Sequence, residues 1–436
     1  MTDSESLVAA FRAELGDETV REGESVWRLS AAGSAPVCVL EPADIEGVTA
    51  AVRAADQHRA ALVPAGNGTH LGIGWPPARP AVALSTRRLA RILSHDAGDM
   101  TVRVEAGVTV EALNAALART GQWLPIDPPR GEAMTVGGLI AADRNGPFRL
   151  GFGGVRDWLL GVRAVMADAA VVRGGGQVVK NVAGYDLPRL FAGSFGTLGV
   201  LVEATFKVRP QLTGLALCEW TAPSLPEALA RAQVVMDSDV RPVLLEAVNE
   251  SAAEALGLDS GASLLIGCAG SAAHLAVQVE RIGTLSGGAA ECHTPERGDA
   301  LLRALREFSQ PADDDALVIR LSALPTELPA LVADIESGAG RARVVAEIAA
   351  HAGSGVAWCQ LLGAPDEAAL IRLAEAARAA ARRHGGWAVF ESMPAELRGR
   401  LDPWGFDAPA LAVMRRVKAA LDPQGLFSPG RFVGRV

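Results

Sequence analysis

The sequence predicts an α+β protein with more than one domain. Its 436 residues and 49% apolar content can fill more than one hydrophobic core. Apolar residues at helical spacing between Asp44 and Arg59 lead directly into a short apolar strand ending near Pro64, which forms an α-then-β unit. After about residue 210 the composition changes to alanine-rich helices that alternate with short strands. Two mixed domains are therefore expected.

The predicted boundaries follow these changes in pattern. Residues 1–29 are an amphipathic N-terminal helix and a lead-in, and residues 30–210 are the first domain. Residues 211–385 are an α+β cap domain, for which a ferredoxin-like arrangement fits, and residues 386–436 form a C-terminal segment.

Individual elements are predicted inside these boundaries. In the first domain they are a strand at 101–104, a helix capped by Thr109 and ended by Gly121, two β-rich runs within 162–183, and a strand at 199–208. In the rest of the chain they are helices at 225–236, 272–284 and 365–383, strands at 263–268 and 317–321, and a helix opened by Asp407 and Pro409 and stopped by Asp422-Pro423.

Charge and hydropathy argue against two classes of protein. A net charge of −9, with lysine only at positions 180, 207 and 418, argues against nucleic-acid binding. The apolar runs are far shorter than the roughly 20 residues needed to span a bilayer. The acidic N-terminal helix also differs from a basic-then-apolar signal peptide. We expect a cytoplasmic protein that reaches a membrane only through partners.

Two glycine-rich loops indicate a ligand with phosphates. The first runs from Pro64 to Gly74 directly after an apolar strand, and its backbone N–H groups can form an anion cradle. It matches neither the Rossmann fingerprint nor Walker A. The second region, 174–210, alternates glycines with polar residues before a strongly apolar strand. A plain surface turn and a glycine hairpin remain the alternatives for each loop alone, but two such loops in one domain favour a dinucleotide.

Four sequence blocks, in this order, resemble the vanillyl-alcohol-oxidase or PCMH-type FAD-binding domain: PAGNGTHLG, VRVEAGVTVEALNAALARTGQWLPIDPP, GGVRDWLLG and KNVAGYDLPRLFAGSFGTLGVL. The resemblance covers residues 30–210, and the ending ALDPQGLFSPGRF is similar to the closing signature of the same superfamily. The likeness is greatest to the glycolate oxidase and D-lactate dehydrogenase branch, and within it to the FAD-binding second subunit of bacterial glycolate oxidase. It implies a two-subdomain FAD domain onto which the C-terminal tail packs back.

The resemblance also implies which residues contact FAD. The first loop would hold the pyrophosphate, the MTVGGLIA stretch and the Arg-Asp pair would lie near the cofactor, and the last block would border the isoalloxazine ring, the ribityl chain and the phosphates. The implied residues are Pro64, Gly66, Asn67, Gly68, Thr69, His70, Gly137, Gly138, Arg156, Asp157, Asn181, Gly184, Tyr185, Asp186, Gly193, Ser194, Gly196, Thr197 and Gly199.

His70 bears on how FAD is attached. Some members of the superfamily bind FAD covalently through a histidine in the first loop, but the glycine alignment places Thr69 at that position and His70 one residue later. Non-covalent FAD is expected, with His70 as a hydrogen-bonding loop residue. A surface ion pair is the alternative for Arg156 and Asp157.

The cysteines predict neither a cluster nor a zinc site. The five residues, Cys38, Cys218, Cys268, Cys292 and Cys359, are scattered without C-x-x-C or ferredoxin spacing. They are expected to be buried small apolar residues. The adjacent Cys292 and His293 lack the further spaced ligands that a metal site needs.

The cap domain offers two candidate catalytic residues, His351 and Arg320. Related dehydrogenases supply a metal and a base through a stretch resembling H-x-G-D-G-N; this chain has His351 followed by AGSGV. The later acidic-plus-histidine motif is reduced to Glu391, so a complete metal set is not expected. A structural histidine is the alternative for His351, and pairing with Asp313 to Asp315 on a strand edge is the alternative for Arg320.

Three hypotheses follow. The first is an FAD-binding oxidoreductase subunit of a glycolate-oxidase-type complex, in which a sister FAD subunit oxidises a small 2-hydroxy acid and a separate iron–sulfur subunit receives the electrons. The second is a self-sufficient 2-hydroxy-acid dehydrogenase that uses His351 and Arg320 without a metal. The third is a non-catalytic subunit that keeps the fold and stabilises its partner.

Overall fold

The structure, a computed structural model, describes residues 3–176, 184–259, 261–311, 316–364, 366–405 and 409–436. Asn181, Asp313 to Asp315 and Asp407, which entered the sequence predictions, lie outside these ranges. The chain divides into two compact units. The first comprises Met1–Arg144, Gly154–Gln211 and Phe406–Val436, and the second comprises Asn145–Gly153 and Leu212–Gly405.

The strands are β1 (Val20–Arg21), β2 (Val39–Leu40), β3 (Ala61–Ala65), β4 (Ala81–Ser85), β5 (Ile92–Asp96), β6 (Thr101–Glu105), β7 (Gln122–Trp123), β8 (Leu159–Val165), β9 (Val171–Gly175), β10 (Val200–Lys207), β11 (Arg209–Pro210), β12 (Leu215–Ala222), β13 (Leu244–Val248), β14 (Ala262–Ala269), β15 (Glu291–Cys292), β16 (Leu317–Ser322), β17 (Val345–His351), β18 (Val356–Leu362) and β19 (Trp387–Ser392).

The α-helices are α1 (Asp3–Leu15), α2 (Ile45–Gln57), α3 (Val110–Ala118), α4 (Val136–Ala142), α5 (Arg149–Phe152), α6 (Val155–Trp158), α7 (Leu187–Phe191), α8 (Leu225–Met236), α9 (Glu250–Ala255), α10 (Ala272–Leu285), α11 (Pro295–Glu307), α12 (Leu328–Ala342), α13 (Glu367–Arg383) and α14 (Leu411–Leu421). The helices predicted at 225–236 and 272–284 correspond to α8 and α10, and the one capped by Thr109 corresponds to α3.

The first unit contains two main sheets. One has the order β1-β2-β4-β3, with β2, β4 and β3 parallel, and shares a core with α1 and α2 through Phe11, Val48 and Val52. The other is antiparallel with the order β5-β6-β10-β8-β9, and its core includes α3 and α4. The two subdomains expected for the FAD domain are therefore present in this unit.

The C-terminal segment returns to the first unit. Leu62 of β3 and Phe427 form a parallel bridge, and the Ser428 N–H donates to the Leu62 carbonyl at 2.7 Å. Helix α14 contributes Val417 and Leu421 to the core around the five-stranded sheet. The tail packs back on the first unit, as predicted.

The second unit is one antiparallel sheet built from two similar halves. The sheet order is β15-β12-β14-β13-β17-β18-β16-β19. When the strands of each half are numbered 1 to 4 along the chain, β12 to β15 and β16 to β19 both lie in the sheet in the order 4-1-3-2. In each half one helix connects strands 1 and 2 and another connects strands 3 and 4, which is the ferredoxin-like arrangement. The halves join where β13 pairs with β17. The prediction of one ferredoxin-like cap thus becomes two such motifs in one sheet.

The second unit extends beyond the predicted boundary at 385. Strand β19 pairs with β16 along most of its length, and residues up to Gly405 belong to this unit and not to the returning segment. Its start at Leu212 adjoins the predicted boundary at 210. No helix in the described part of the chain is long and apolar enough to cross a membrane.

One prediction about the cysteines is wrong. Cys218 and Cys292 form a disulfide, and Cys292 is exposed. The antiparallel pairing of β12 with β15 places the two residues directly opposite each other, although they are 74 residues apart in sequence. The other three cysteines are buried and free, as expected.

Thiol counting tests this disulfide. Denatured protein should show three titratable thiols when no reductant has been added, and five after full reduction. The Cys218→Ser variant should show four thiols in both conditions, because it releases Cys292. Five thiols in unreduced wild-type protein would contradict the pairing.

Candidate functional site

The predicted glycine loops border one cleft in the first unit. Its lining includes many of the residues predicted to contact FAD: Pro64, Gly66, Asn67, Gly68, Thr69, His70, Gly137, Gly138, Ser194, Gly196 and Gly199. The structure therefore brings together three segments that are far apart in the sequence.

The first loop follows β3 and packs closely against the start of α4. A Cβ atom at Gly66 would overlap the Thr135 hydroxyl, and one at Gly68, where φ is +81°, would lie 2.7 Å from the Arg28 carbonyl oxygen. The Asn67 amide donates to the Ala133 carbonyl at 2.9 Å. Glycine is required at these two positions because the backbone approaches its neighbours so closely.

The second glycine segment is anchored on α4 and on the first loop. The N–H groups of Gly193 and Phe195 donate to the carbonyls of Ile140 and Ala141, both at 2.9 Å. A Cβ atom at Gly196 would lie 3.4 Å from the Pro64 ring, so the two glycine segments pack against each other where they border the cleft. The Thr197 hydroxyl donates to the Ser194 carbonyl at 2.7 Å and stabilises this turn.

The tail completes the wall of the cleft with Arg431. This side chain is 4% exposed and donates to the carbonyls of Leu71 and Ile73, both at 2.9 Å. Burial lowers the pKa of Arg431 to about 10. A cation in contact with the cleft lining favours an anionic ligand.

Several predicted contacts do not line the cleft in the described part of the chain: Arg156, Asp157, Gly184, Tyr185, Asp186, Gly193 and Thr197. Arg156 lies 3.6 Å from Asp143 and donates to the Ala192 carbonyl, whereas Asp157 accepts from the Gly154 N–H. Arg156 therefore contacts the backbone directly before the second glycine segment, Asp157 caps α6, and the two side chains do not pair with each other. Asp186 caps α7, and Tyr185 is 92% exposed.

The lining residues that the sequence predictions missed include Thr86, Thr135, Phe195 and Arg431. Thr135 had a recognisable signal, because a threonine directly before VGGLIA is a typical helix N-cap, and its hydroxyl accepts from the Gly138 N–H at 3.2 Å. Arg431 lies in the closing segment ALDPQGLFSPGRF, but its contact with a loop 358 to 360 residues away depends on tertiary structure.

The two candidate catalytic residues lie on the sheet of the second unit. His351 ends β17 opposite Glu246 of β13, and its Nδ1 lies 2.5 and 2.6 Å from the two carboxylate oxygens of Glu246. Arg320 lies on β16 between β18 and β19, which differs from the edge position considered as its alternative, whereas the pairing with Asp313 to Asp315 concerns residues outside the described ranges.

Glu391 contacts both Arg320 and Trp358 on this sheet. The Arg320 Nε lies 3.0 Å from one Glu391 oxygen, and the Trp358 indole N–H donates to the other at 3.0 Å. The edge of Trp358 in turn contacts His351, with the ring centroids 4.7 Å apart. Among the described residues, no group of three His, Cys, Asp or Glu side chains is arranged to hold a metal ion.

Two protein-family models match segments of this chain. Residues 36–175 match the model of the FAD binding domain, and residues 403–432 match that of the C-terminal domain of FAD linked oxidases. The chain is an FAD-dependent oxidoreductase.

Relatives of this oxidoreductase agree with the domain matches. It is 28% identical to the probable mitochondrial D-lactate dehydrogenase of Danio rerio, over 98% of this chain and 91% of that protein. It is 44% identical to the glycolate oxidase subunit GlcE of Escherichia coli over 121 residues, which cover 28% of this chain and 35% of that subunit. The structure of p-cresol methylhydroxylase superposes with a TM-score of 0.75 at 14% identity, over 98% of this chain and 96% of that one, so the oxidoreductase has the PCMH-type fold.

The cleft residues fit FAD. The first loop presents its backbone at two positions where a Cβ atom cannot be accommodated, and glycines line the opposite wall. Such backbone-lined walls permit the close approach that a pyrophosphate needs, and Arg431 supplies positive charge in the lining. FAD is therefore the cofactor that both the domain matches and this geometry support.

Proposed function

We propose that this oxidoreductase is an FAD-binding subunit of a glycolate-oxidase-type complex, with electrons from glycolate or a similar 2-hydroxy acid passing to an iron–sulfur partner. The proposal includes a sister FAD subunit and a cytoplasmic location, with membrane contact only through partners. The 44% identity to a glycolate oxidase subunit supports it. FAD would be bound without a covalent bond, with the first glycine loop at its pyrophosphate.

The observation that carries the proposal is that Arg320 on the cap sheet already has a carboxylate partner. Arg320, which could have held a substrate carboxylate, forms an ion pair with Glu391, whose other oxygen accepts from Trp358. An arginine that is paired in this way has less capacity for a second carboxylate. A role inside a complex fits this arrangement, since partner subunits can then provide missing functions.

A second candidate is a self-sufficient 2-hydroxy-acid dehydrogenase. It is favoured by the match to a D-lactate dehydrogenase over nearly the whole chain, and by the contact of His351 with a buried carboxylate. A histidine oriented through Nδ1 by a carboxylate can accept a proton at Nε2. In this candidate His351 would take the hydroxyl proton of the substrate.

In either arrangement the residues of the chain have distinct tasks. Bound FAD supplies a two-electron acceptor for the hydride on the α-carbon. The loops around Gly66 and Ser194 would hold and orient the cofactor. The Thr135 and Arg431 contacts would keep the first loop in place.

Flavin absorbance tests the proposal. The FAD-loaded chain, purified without partners, is mixed anaerobically with glycolate or D-lactate, and the visible spectrum is recorded before and after. An unchanged oxidised spectrum that bleaches only after the partner subunits are added supports the complex. Bleaching by the chain alone, lost in His351→Ala, supports the self-sufficient dehydrogenase. Absence of bleaching with and without partners would contradict both.

A further inference from the structure

One face of the five-stranded sheet in the first unit carries a cluster of arginines. Val104 and Ala204 point from this sheet into the core that contains α3 and α4. Because successive side chains alternate between the faces of a sheet, Arg103 and Thr205 lie on the opposite face. They border a concave surface site, called here the arginine site, whose lining includes Arg103, Gly161, Arg163, Arg173, Glu203 and Thr205. Among the described residues, it shares no lining residue with the FAD cleft.

Strand register brings the arginines together. In the order β6-β10-β8-β9, Arg103 lies opposite Thr205, and Thr205 lies opposite Gly161. In the adjacent row Arg163 lies opposite Arg173 of β9. Two strands separate β6 from β9, which corresponds to about 14 Å at the usual strand spacing. Arg103 and Arg173 therefore flank a central strip in which Gly161 leaves room for a ligand.

Two of the three arginines have no acidic partner. Arg163 donates to the Glu203 carboxylate at 2.8 Å. In the described part of the chain, neither Arg103 nor Arg173 takes part in a hydrogen bond or an ion pair. Residues 177–183, which follow β9 and lie outside the described ranges, have the sequence QVVKNVA and contribute no carboxylate. The lining thus carries an excess of two positive charges.

Carboxylates near the site are already balanced. Glu105, which follows Arg103 on the same face of β6, is 1% exposed and accepts from the Arg91 guanidinium at 2.6 Å. Asp96 of β5 and Lys207 of β10 lie on either side of Thr101 in the register, so their charges offset each other. The excess charge of the arginine site therefore persists in its surroundings.

Unused donors point to a ligand with several acceptor oxygens. The Nε atoms of Arg103 and Arg163 are buried, and neither has a hydrogen-bond acceptor among the described residues. A buried donor without an acceptor is destabilising, and the close approach of like charges adds to that effect. Arginine forks match the oxygens of phosphates and carboxylates, which can satisfy the donors and the charge together.

We infer that the arginine site binds a small ligand with two separate oxyanion groups, as in a diphosphate or a dicarboxylate. Arg103 holds one group and Arg173 holds the other. The ligand crosses the sheet above Gly161, where the Thr205 hydroxyl donates to it. This site is distinct from the FAD cleft, and the inference does not depend on the oxidation proposed for the flavin.

Calorimetry on the full FAD-loaded chain at physiological ionic strength tests the site. The probes are pyrophosphate, succinate and acetate, and acetate serves as the ligand with a single oxyanion group. At least one of the first two should bind at a single site about tenfold or more tightly than acetate. Tighter binding of pyrophosphate identifies a diphosphate ligand, and tighter binding of succinate identifies a dicarboxylate. Absence of saturable binding of both would overturn the inference.

Charge-matched variants separate a specific site from general attraction. Arg103→Gln and Arg173→Gln should each weaken the preferred probe by about tenfold, because each removes one charged contact. Arg119→Gln is the control, since this exposed arginine at the end of α3 does not line the site and its replacement removes the same charge. It should leave the affinity within about twofold. Equal losses in all three variants would overturn the assignment.

The comparison with acetate tests whether the ligand bridges the two arginines. In Arg103→Gln the advantage of the preferred probe over acetate should disappear, because a single guanidinium remains for either ligand. Retention of that advantage would contradict bridging. Thr205→Val should weaken the probe several-fold through loss of the hydroxyl. FAD content and unfolding temperature, which should match those of the unmodified chain, show that each variant is folded.

Discussion

Gly66→Val protein is expected to purify without FAD. The new side chain would overlap the Thr135 hydroxyl, and Thr135 is 2% exposed and caps α4, so it cannot move aside without losing that hydrogen bond. The loop must shift instead, which displaces the backbone that lines the cleft. We expect FAD affinity to fall by about 100-fold or more, equivalent to about 2.7 kcal/mol.

Gly72→Val is the matched control for this prediction. Gly72 belongs to the same loop, but a Cβ atom there meets no atom within 4 Å. The ratio of flavin to protein absorbance in purified protein, and FAD titration of the apoprotein, measure the difference. Normal FAD affinity in Gly66→Val, or equal losses in both variants, would show that the close approach to Thr135 does not shape the site.

Lys418→Met is expected to destabilise the first unit by about 3 kcal/mol, because it leaves a buried carboxylate without its cation. The Lys418 ammonium lies 2.6 Å from Asp422, whose side chain is 0% exposed, and donates to the carbonyls of Thr197 and Phe427, both at 2.7 Å. Burial lowers the pKa of Lys418, and the contact with Asp422 opposes this change. One ammonium therefore connects α14, the tail and the second glycine segment.

Urea unfolding, monitored through the release of FAD, measures this loss of stability. Arg416→Met on the same helix is the control, since Arg416 is exposed and its replacement should leave the midpoint unchanged. A Lys418→Met/Asp422→Asn double variant should recover part of the stability, because it removes the uncompensated charge. A midpoint for Lys418→Met equal to that of the control would contradict the account.

The sequence was most informative where function depends on the backbone. Gly66 and Gly68 stood out because glycines after an apolar strand indicate close approach, and both line the cleft. The disulfide, Arg431 and Glu246 could not be predicted in the same way, because their partners are 74, 358 to 360 and 105 residues away in the sequence. Glu246 nevertheless left a trace, since a single carboxylate within the apolar strand LLEAV needs a buried partner.

The helices and strands predicted from the sequence did not reveal which side chains meet on the cap sheet. Arg320 was a candidate for substrate binding because arginine binds carboxylates well, yet the carboxylate that it meets is Glu391 of the same sheet. Strand pairing decides which side chains meet. Here β16, which carries Arg320, pairs with β19, which carries Glu391.

The contact of Arg431 with the first loop has a consequence for biosynthesis. During translation at about 5–20 residues per second, the 360 residues between Leu71 and Arg431 take roughly 20 to 70 s to emerge. Throughout that interval the loop lacks the guanidinium that holds its carbonyls. The nascent chain can therefore fold the cap sheet before the flavin pocket is finished, and stable uptake of FAD follows the emergence of Arg431.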